Sequence, residues 1–412
     1  MQKMKNSKAA KMENSKLNVG NIIIALFFFG ILFGSLIIST IMPEKKISVI
    51  ENRDLAQKPI FTSESFLNGT YFDKYEAYHS DQYPLRNKML EVNGLFKYKV
   101  INQKVADVAG SKYYRSNDGF IINQVVPLSP IKLINELDGF TKESTKLGID
   151  VFFSIIPHKT VVFENELPNY LPSYGRENLK VLKTALNTVP SLHLIDVSKE
   201  ISKVPKEEIY FRNDHHWNTN GAFIGYQKII SEMNNVFPVI GEPIQKESYK
   251  FKQQSKDFYG SYARSTTLSF VSQPDHMIIP TNNIISKNIH SCNSKNICEG
   301  PVFADDALTD SNLYMNRYEY FGQNKLLTKY KNDHPISNKT LVVIKDSYAL
   351  PTIPFLAQHF KELYVIDTRY FATSANYKNS SAFEMVKNFK PDAVCFIINS
   401  SAISSNITDY IK

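Results

Sequence analysis

The chain has 412 residues, of which 43% are hydrophobic and 12% aromatic. This size and composition suffice for one large or two ordinary folded domains and exclude a largely disordered chain. The formal net charge is +8, but the lysines are scattered, and five of them lie within the first sixteen residues. The sequence contains no recognisable nucleic-acid module, so we attribute the positive charge to membrane topology and expect no nucleic-acid partner.

An uncharged segment follows the basic start and runs from Ile22 to Met42. About 20 apolar residues at roughly 1.5 Å each span the core of a bilayer. Because basic flanks stay in the cytoplasm, we predict a cytoplasmic segment at 1–21, a single transmembrane signal anchor at 22–42 and an extracytoplasmic remainder. A cleaved signal peptide is the alternative, but its apolar region is usually shorter, and no small-residue cleavage site precedes Pro43.

The remaining chain divides by its pattern into two parts. Residues 43–110 predict a juxtamembrane helical region with one or two amphipathic helices broken at Pro84. Residues 111–412 predict an α/β domain, because short apolar runs alternate with helix-like segments, as in a parallel sheet covered on both faces. Its predicted strands are 150–157, 192–197, 340–344, 362–367 and 392–399. Residues 240–335 are rich in Ser, Asn and Lys without a clear period, and they predict an insertion of loops and short strands.

Three cysteines are present. Cys292 and Cys298 lie in a polar, loop-like stretch and could close a short disulfide, which is compatible with an extracytoplasmic location. Cys395 lies in an apolar run and is expected to be a small buried core residue. A zinc site needs more ligands at tighter spacing, so we predict no cysteine-bound metal.

Ser347 lies where a predicted strand turns into a helix, in TLVVIKDSYALPTI. In an open parallel sheet, ligands bind beyond the carboxyl ends of the strands. A serine there has its hydroxyl and backbone N–H near the positive end of a helix dipole, which suits a nucleophile whose attack creates an oxyanion. A helix N-cap is the alternative, because serine often has that role.

The sequence RNDHHWN contains two adjacent histidines and the only tryptophan. Asp214 and His216 are two residues apart, so in an extended segment they share one side while His215 points away. The carboxylate could then bind Nδ1 of His216 and direct Nε2 toward a hydroxyl, with Trp217 shielding the pair. A metal site and a hydrogen-bonded structural corner are the alternatives.

The stretch YFRNDHHWNTNGA resembles the signature of the bacterial DHHW protein family. That family is related to the SGNH-hydrolase-like O-acetyltransferases of alginate and other exopolysaccharide systems. The segments that resemble further motifs of the family are ENRDLAQKPIF, DQYPLRN, SIIPHKTVVF, DFYGSYARS, KDSY and IDTRYF. The resemblance covers about residues 50 to 400. It implies an SGNH-hydrolase-like three-layer α/β fold with a central parallel sheet and a circularly permuted motif order, in which the Asp-x-His element precedes the serine.

The resemblance also implies roles for individual residues. Ser347 would be the nucleophile, His216 the general base and Asp214 its orienting carboxylate. Related enzymes stabilise the oxyanion with the serine N–H, a glycine N–H and an asparagine side chain, for which Gly260 and Asn399 are the candidates. The candidate substrate-binding residues are Trp217, Lys159, Arg369 and Tyr348, with salt bridging an equal alternative for Lys159 and Arg369. Lys345 replaces the glycine of the usual Gly-Asp-Ser turn, so the turn is expected to differ in shape.

Together with these residues, the resemblance implies an O-acetyltransferase that modifies a cell-surface or secreted polysaccharide through an acetyl-serine. Because acetyl-CoA is cytoplasmic, a membrane-bound O-acyltransferase is the expected donor partner, and no cofactor or metal is expected. A polysaccharide deacetylase or esterase is the enzymatic alternative. The alternative of another class is a catalytically inactive carbohydrate-binding or scaffold protein of an exopolysaccharide system.

Overall fold

The computed structural model describes residues 19–48, 53–108, 110–281, 283–313, 315–322, 324–374, 377, 380–403 and 405–412. Residues 1–18 of the predicted cytoplasmic segment therefore lie outside the described residues, and its lysines are among them. The chain divides into two compact units, one up to Val92 and one from Asn93 to Lys412.

The described helices are α1 (Val19–Ile41), α2 (Ser63–Leu67), α3 (Thr70–Asp81), α4 (Arg86–Leu95), α5 (Ile131–Lys146), α6 (Lys159–Phe163), α7 (Gly175–Leu186), α8 (Ser198–Ile201), α9 (Lys206–Ile209), α10 (Thr219–Val236), α11 (Ser261–Thr266), α12 (Asn283–Asn288), α13 (Asp306–Thr309), α14 (Ile353–Leu356), α15 (Ala382–Phe389) and α16 (Ser405–Thr408). The described strands are β1 (Ile47–Ser48), β2 (Arg53–Asp54), β3 (Val105–Val108), β4 (Ser111–Arg115), β5 (Ile121–Asn123), β6 (Asp150–Ile156), β7 (Leu192–Asp196), β8 (Lys250–Phe258), β9 (Asp275–Thr281), β10 (Ile289–Cys292), β11 (Cys298–Gly300), β12 (Leu327–Asn332), β13 (Ser337–Lys345), β14 (Phe360–Ile366) and β15 (Ala393–Asn399).

The first unit contains α1, a helix with no charged side chain. Within it, Val19–Ser39 is long and apolar enough to cross a membrane, by length and composition. Further along, α3 ends at Asp81 and α4 begins at Arg86. The helical region is thus interrupted at Pro84, as predicted, because proline cannot donate its backbone nitrogen to a helical hydrogen bond.

The second unit is a mixed α/β structure built on an eight-stranded sheet with the order β11-β10-β12-β14-β13-β15-β6-β7. The five strands from β14 to β7 run parallel, as predicted. The sheet as a whole is mixed, however, because β12, β10 and β11 add an antiparallel edge. These three strands come from residues 240–335, a segment without a continuous apolar run. Strands near the edge of a sheet are covered less completely than central strands, so their sequences need fewer apolar residues.

Alternate side chains of the parallel strands point to opposite faces, and each face is covered by helices. Val343 and Cys395 belong to the core that contains α10, and Cys395 is buried as expected. Val342 and Val394 belong to the core on the other face, which contains α5, α7 and α15. Burial on both faces explains why these strands are recognisable as continuous apolar runs.

Residues 240–335 also form a separate antiparallel pair of β8 with β9. Cys292 and Cys298 form a disulfide that joins β10 to β11, which confirms the possible pairing.

The parallel arrangement brings the carboxyl ends of β6, β13, β14 and β15 to one edge of the sheet. β13 lies between β14 and β15, so the chain leaves it toward one neighbour and returns on its other side. Such a switch in strand order opens a crevice at the carboxyl edge, where ligands bind in α/β sheets.

Candidate functional site

Three side chains form a continuous hydrogen-bonded relay at this edge. Ser347 follows β13 and begins a 3-10 helix, Ser347–Thr352. Its Oγ is 2.7 Å from Nε2 of His216, 131 residues earlier in the chain. The His216 Nδ1 is 2.5 Å from Oδ1 of Asp214. Asp214 and His216 are buried, whereas Ser347 is half-buried and remains accessible. A serine, a base and an orienting carboxylate in this geometry can generate a nucleophile.

The Asp214 carboxylate is held on both oxygens. Oδ1 also accepts the backbone N–H of His216 at 2.8 Å, and Oδ2 accepts the backbone N–H of Ser261 at 2.7 Å. Burial alone would raise the pKa of Asp214, but His216, His215 and these hydrogen bonds hold the pKa well below its ordinary value. The carboxylate therefore stays ionised and fixes the proton on Nδ1 of His216.

Gly260 lies against this carboxylate. A Cβ at Gly260 would overlap the Cβ and carboxylate of Asp214, so no larger residue fits without displacing it. Close packing against Asp214 therefore accounts for glycine at position 260, whether or not its N–H binds an oxyanion. A role of its N–H as an oxyanion donor stays a prediction.

His216 is sandwiched between two rings. Tyr318 stacks on one face with a centroid distance of 4.0 Å and an interplanar angle of 15°. His215 lies on the other face at 3.7 Å, and its Nδ1 is 3.5 Å from Asp214 Oδ1. The prediction that His215 points away from the pair is wrong, because the segment forms a looped turn rather than an extended strand, and side chains do not alternate there.

The loop that carries Asp214 is held from two sides. The Asp275 carboxylate accepts the backbone N–H groups of Arg212 at 2.8 Å and of Asn213 at 2.7 Å. The Lys159 ammonium donates to the carbonyls of Arg212 at 2.9 Å and of Asp214 at 3.0 Å. A buried anion and a buried cation thus fix the backbone that presents the relay.

For Lys159 the sequence predicts substrate binding or, equally, a surface salt bridge. Its side chain is instead fully buried, with the ammonium 5.4 Å from the ring centroids of Phe120 and Tyr262. Burial lowers the pKa of Lys159 to about 7, and burial also raises the pKa of Asp275 to about 6. The structure places Lys159 beneath the loop, where it supports the backbone.

Trp217 and Tyr348 are also predicted substrate-binding residues, but both are fully buried. The Trp217 Nε1–H donates to the Tyr348 carbonyl at 2.8 Å, and the Tyr348 hydroxyl donates to the carbonyl of His215. Their faces are therefore covered by protein. They join the loop that carries the base to the turn that carries the nucleophile.

The turn before Ser347 is built on Asp346. Its Oδ1 accepts the N–H of Tyr348 at 2.8 Å and caps the 3-10 helix. Its Oδ2 accepts both the backbone N–H of Asn399 at 2.8 Å and the side-chain Nδ2 at 2.7 Å. Asn399 thus lies beside the nucleophile turn at the end of β15, and burial raises the pKa of Asp346.

Lys345, which replaces the expected glycine, is the last residue of β13 and is buried. Its ammonium is 2.8 Å from Oδ2 of Asp367, which follows β14. Arg369 donates to the same carboxylate through Nε at 2.8 Å and Nη2 at 2.6 Å. Arg369, a predicted ligand-binding residue, is therefore held in an ion pair with Asp367 and is half-buried.

The metal alternative has a geometric basis. One ligand atom from each of Asp214, His215 and His216 lies within 4.8 Å of the others. Both ring nitrogens of His216 are engaged, however, one by Ser347 and one by Asp214. A metal bound through His216 would have to displace one of these partners.

Three residues of the site were missed from the sequence: Asp275, Tyr318 and Ser261. Ser261 adjoins the glycine of the recognised DFYGSYARS segment, so its neighbourhood was a usable signal. Asp275 and Tyr318 lie in the segment without a clear period and belong to no local pattern that would have identified them.

Comparison with known proteins agrees with the sequence motifs. Residues 194–366 match the model of the family described as "DHHW protein". Within this range the sequence is similar to that family. The resemblance predicted from the sequence is therefore confirmed.

The chain is 20% identical over 184 residues to "Probable alginate O-acetylase AlgJ" of Pseudomonas fluorescens. The match spans 43% of this chain and 46% of that protein, so it covers about half of the curated relative.

Solved structures give the fold. PatB1 of Bacillus cereus, which carries a sulfonyl adduct, has a TM-score of 0.59 at 18% identity, with 74% of this chain and 99% of that chain covered. A DHHW family protein from Eubacterium siraeum has a TM-score of 0.60 at 18% identity, with 74% and 97% covered. The similarity at this identity is one of fold, and it agrees with the mixed α/β architecture around a central sheet.

Proposed function

We propose that this chain is a membrane-anchored, extracytoplasmic serine O-acetyltransferase that acts on a cell-surface or secreted polysaccharide. The observation that carries the proposal is the Ser347–His216–Asp214 relay, with distances of 2.7 Å and 2.5 Å, at the carboxyl edge of the sheet. The base and the nucleophile of this relay lie 131 positions apart in the chain, and each member is within hydrogen-bond reach of the next. A catalytically inactive carbohydrate-binding or scaffold protein has no need of this alignment.

In the first half-reaction, His216 Nε2 accepts the hydroxyl proton of Ser347 while Oγ attacks an acetyl carbonyl. Asp214 stabilises the imidazolium through Nδ1. The donor's leaving oxygen then takes the proton, and an acetyl-serine remains. The negative charge on the carbonyl oxygen develops near the Ser347 N–H, at the start of the 3-10 helix, with Asn399 and Gly260 as further candidate donors.

In the second half-reaction, a sugar hydroxyl attacks the acetyl carbon of the acetyl-serine. Its proton passes to His216 Nε2 and then to the departing Oγ of Ser347. The new ester forms on the sugar and the free serine is restored. Water in place of the sugar would give a deacetylase or esterase, which is the enzymatic alternative.

An SGNH-hydrolase-like, circularly permuted three-layer fold is part of the proposal. Helices cover both faces of the central sheet. The Asp-x-His element lies in the loop before α10, whereas the serine follows β13 much later in the chain. This order is the one expected of the acetyltransferase branch.

The proposed location follows from α1 and the disulfide. α1 has the length and composition of a membrane span, and the Cys292–Cys298 disulfide is typical of an oxidising compartment. Since acetyl-CoA is cytoplasmic, the donor must be delivered across the membrane, and we propose a membrane-bound O-acyltransferase as the partner. The curated relative named as an alginate O-acetylase supports a polysaccharide as acceptor.

The test uses the full chain in detergent with a chromogenic acetyl ester. We expect chromophore release and an acetyl group on Ser347, detected by mass spectrometry of the peptide. Ser347→Ala and His216→Ala should reduce release at least about 100-fold, the range typical of general-base loss. His334→Ala is the matched control, because His334 is exposed in the turn before β13, at the opposite edge of the sheet.

A chelator distinguishes the metal alternative. We expect EDTA to leave the rate unchanged. Loss of activity with EDTA and its recovery with a divalent metal would contradict the relay as the catalytic device. Turnover by Ser347→Ala at the rate of the unaltered chain would contradict it as well.

A further inference from the structure

The relay does not require His215, yet the His215 ring lies beside it and is partly exposed. Its side chain is 29% exposed, compared with 7% for His216 and 2% for Asp214. Its ring lies 3.7 Å from the His216 ring, with an interplanar angle of 37°. Of the two histidines, His215 is therefore the one with the larger surface open to a ligand, directly beside the base.

The protonation of His215 follows from its partners. Nδ1 is 2.6 Å from Oγ of Ser261 and 3.5 Å from the ionised Asp214 carboxylate, which favours the proton on Nδ1. Burial, and after it the neighbouring His216, hold the pKa of His215 well below its ordinary value, so the ring is neutral. In this tautomer Nε2 is a hydrogen-bond acceptor, and within the described residues it has no partner.

His215 is also held in place. Its backbone carbonyl accepts the hydroxyl of Tyr348, the residue after the nucleophile, and its Nδ1 is engaged by Ser261. The ring therefore does not need to be ordered when a ligand binds, which lowers the entropic cost of a hydrogen bond to Nε2. Two imidazoles thus lie side by side, one with Nε2 on Ser347 and one whose Nε2 has no partner within the described residues.

We propose that His215 Nε2 binds the acceptor, and that the acceptor is a sugar with vicinal hydroxyl groups. One hydroxyl attacks the acetyl-serine carbonyl and passes its proton to His216 Nε2. The neighbouring hydroxyl donates a hydrogen bond to His215 Nε2 and keeps its own proton. The acceptor oxygen–acetyl bond forms, the bond from the acetyl carbon to Oγ of Ser347 breaks, and the proton returns from His216 to that oxygen. The inference rests on the acyl transfer proposed above.

This arrangement explains how transfer competes with hydrolysis. A water molecule or a simple alcohol can occupy the attacking position, but neither one carries a second hydroxyl on an adjacent carbon for His215. A vicinal diol engages both imidazoles at once, and the second contact is an intramolecular event with a high effective concentration. His215 would therefore select the acceptor without taking part in the proton transfer.

The test uses the full chain in detergent, a chromogenic acetyl ester as donor, and equal concentrations of 1,2-propanediol and 1-propanol as competing acceptors. The ratio of the two acetylated products is measured by gas chromatography. We expect the unaltered chain to favour the diol, and 1,3-propanediol to compete less well than 1,2-propanediol. A ratio measured within one sample is unaffected by the fraction of folded protein.

Three variants separate hydrogen bonding from packing. His215→Ala and His215→Phe should lower the preference for the diol about ten-fold, the effect expected for one lost hydrogen bond. Phenylalanine keeps a ring against His216 but has no nitrogen. His215→Gln carries an amide oxygen near the position of Nε2 and should recover part of the preference. His334→Ala should keep the full preference.

Contradictory outcomes are distinct. An unaltered chain that acetylates Ser347 but shows no diol preference overturns the role of His215 and leaves the acyl-transfer proposal standing. A preference retained by His215→Phe means that the ring only packs, and this overturns the role as well. A chain that forms no acetyl-serine contradicts the acyl-transfer proposal, and the inference falls with it.

Discussion

Trp217 donates its indole N–H to the carbonyl of Tyr348 at 2.8 Å, across a sequence separation of 131 residues. Each of these residues directly follows a member of the relay, His216 in one case and Ser347 in the other. This hydrogen bond therefore helps to fix the distance between the base and the nucleophile. Trp217 and Tyr348 are buried and cannot contact a ligand, so their contribution is to hold the relay in place.

Trp217→Phe should weaken this connection. The variant leaves the buried Tyr348 carbonyl without its indole donor, and we expect a loss of about 1–3 kcal/mol in the free energy of unfolding. A shift of the loop should lower kcat more than it raises KM, because alignment matters most in the transition state. Urea unfolding followed by circular dichroism and steady-state ester cleavage measure the two effects. An unchanged kcat in a destabilised variant would show that the hydrogen bond serves stability alone.

Parts of the site were predictable because local pattern determined them. The run ending at Lys345 is buried on both faces and ends in polar residues, so the sequence located Ser347 at the correct edge of the sheet. His215 was misjudged because its orientation depends on a looped backbone held by Asp275, which is distant in sequence. Lys159 was misjudged for a similar reason. A lysine that follows a strand is expected to be exposed, but in this fold aromatic rings from distant parts of the chain cover Lys159.

Gly260→Ala should impair the orienting carboxylate. The backbone φ of Gly260 is −76°, a value that alanine adopts without strain, so only the added Cβ is new. That atom would overlap Asp214 and displace its carboxylate from Nδ1 of His216. We expect kcat for ester cleavage to fall at least about ten-fold, since orientation of the base is lost.

The control for Gly260→Ala is Gly34→Ala, because a Cβ at Gly34 meets no atom within 4 Å among the described residues, apart from its chain neighbours and the backbone of its own helix. It should retain the rate of the unaltered chain. Full activity in Gly260→Ala would mean that the carboxylate tolerates the displacement. It would also remove the packing reason for glycine at this position.

His158 predicts acid sensitivity. Burial, and after it Lys159 and His216, lower the pKa of His158 to about 3. A histidine whose pKa is depressed in the folded state contributes stability that is fully present above its unfolded pKa, about 6.5. That contribution is lost as the pH falls from about 6.5 toward 3. The free energy of unfolding should therefore decrease over this range, by up to about 1.4 kcal/mol per pH unit from this one group.

His158→Asn tests that origin. His158 caps α6 by accepting the Thr160 N–H at its Nδ1, at 3.2 Å, and an asparagine side chain can accept the same hydrogen bond without titrating. The variant should reduce the pH slope by up to one proton, measured by urea unfolding with Trp217 fluorescence between pH 7 and 4. His334→Asn, at an exposed position, should leave the slope unchanged. An unaltered slope in His158→Asn would assign the acid sensitivity to other groups.

Lys345→Gly recreates the Gly-Asp-Ser turn but should not improve the protein. The Lys345 ammonium is buried beside Asp367, and removal of one partner of a buried ion pair costs about 3–5 kcal/mol. Arg369 still binds the Asp367 carboxylate and should reduce that loss. We therefore expect the free energy of unfolding to fall by about 2–3 kcal/mol. Lys345→Met, which keeps most of the side-chain volume, should lose nearly as much, because the missing charge rather than the missing volume is responsible. A much smaller loss in Lys345→Met than in Lys345→Gly, measured by urea unfolding, would instead assign the effect to packing and backbone freedom.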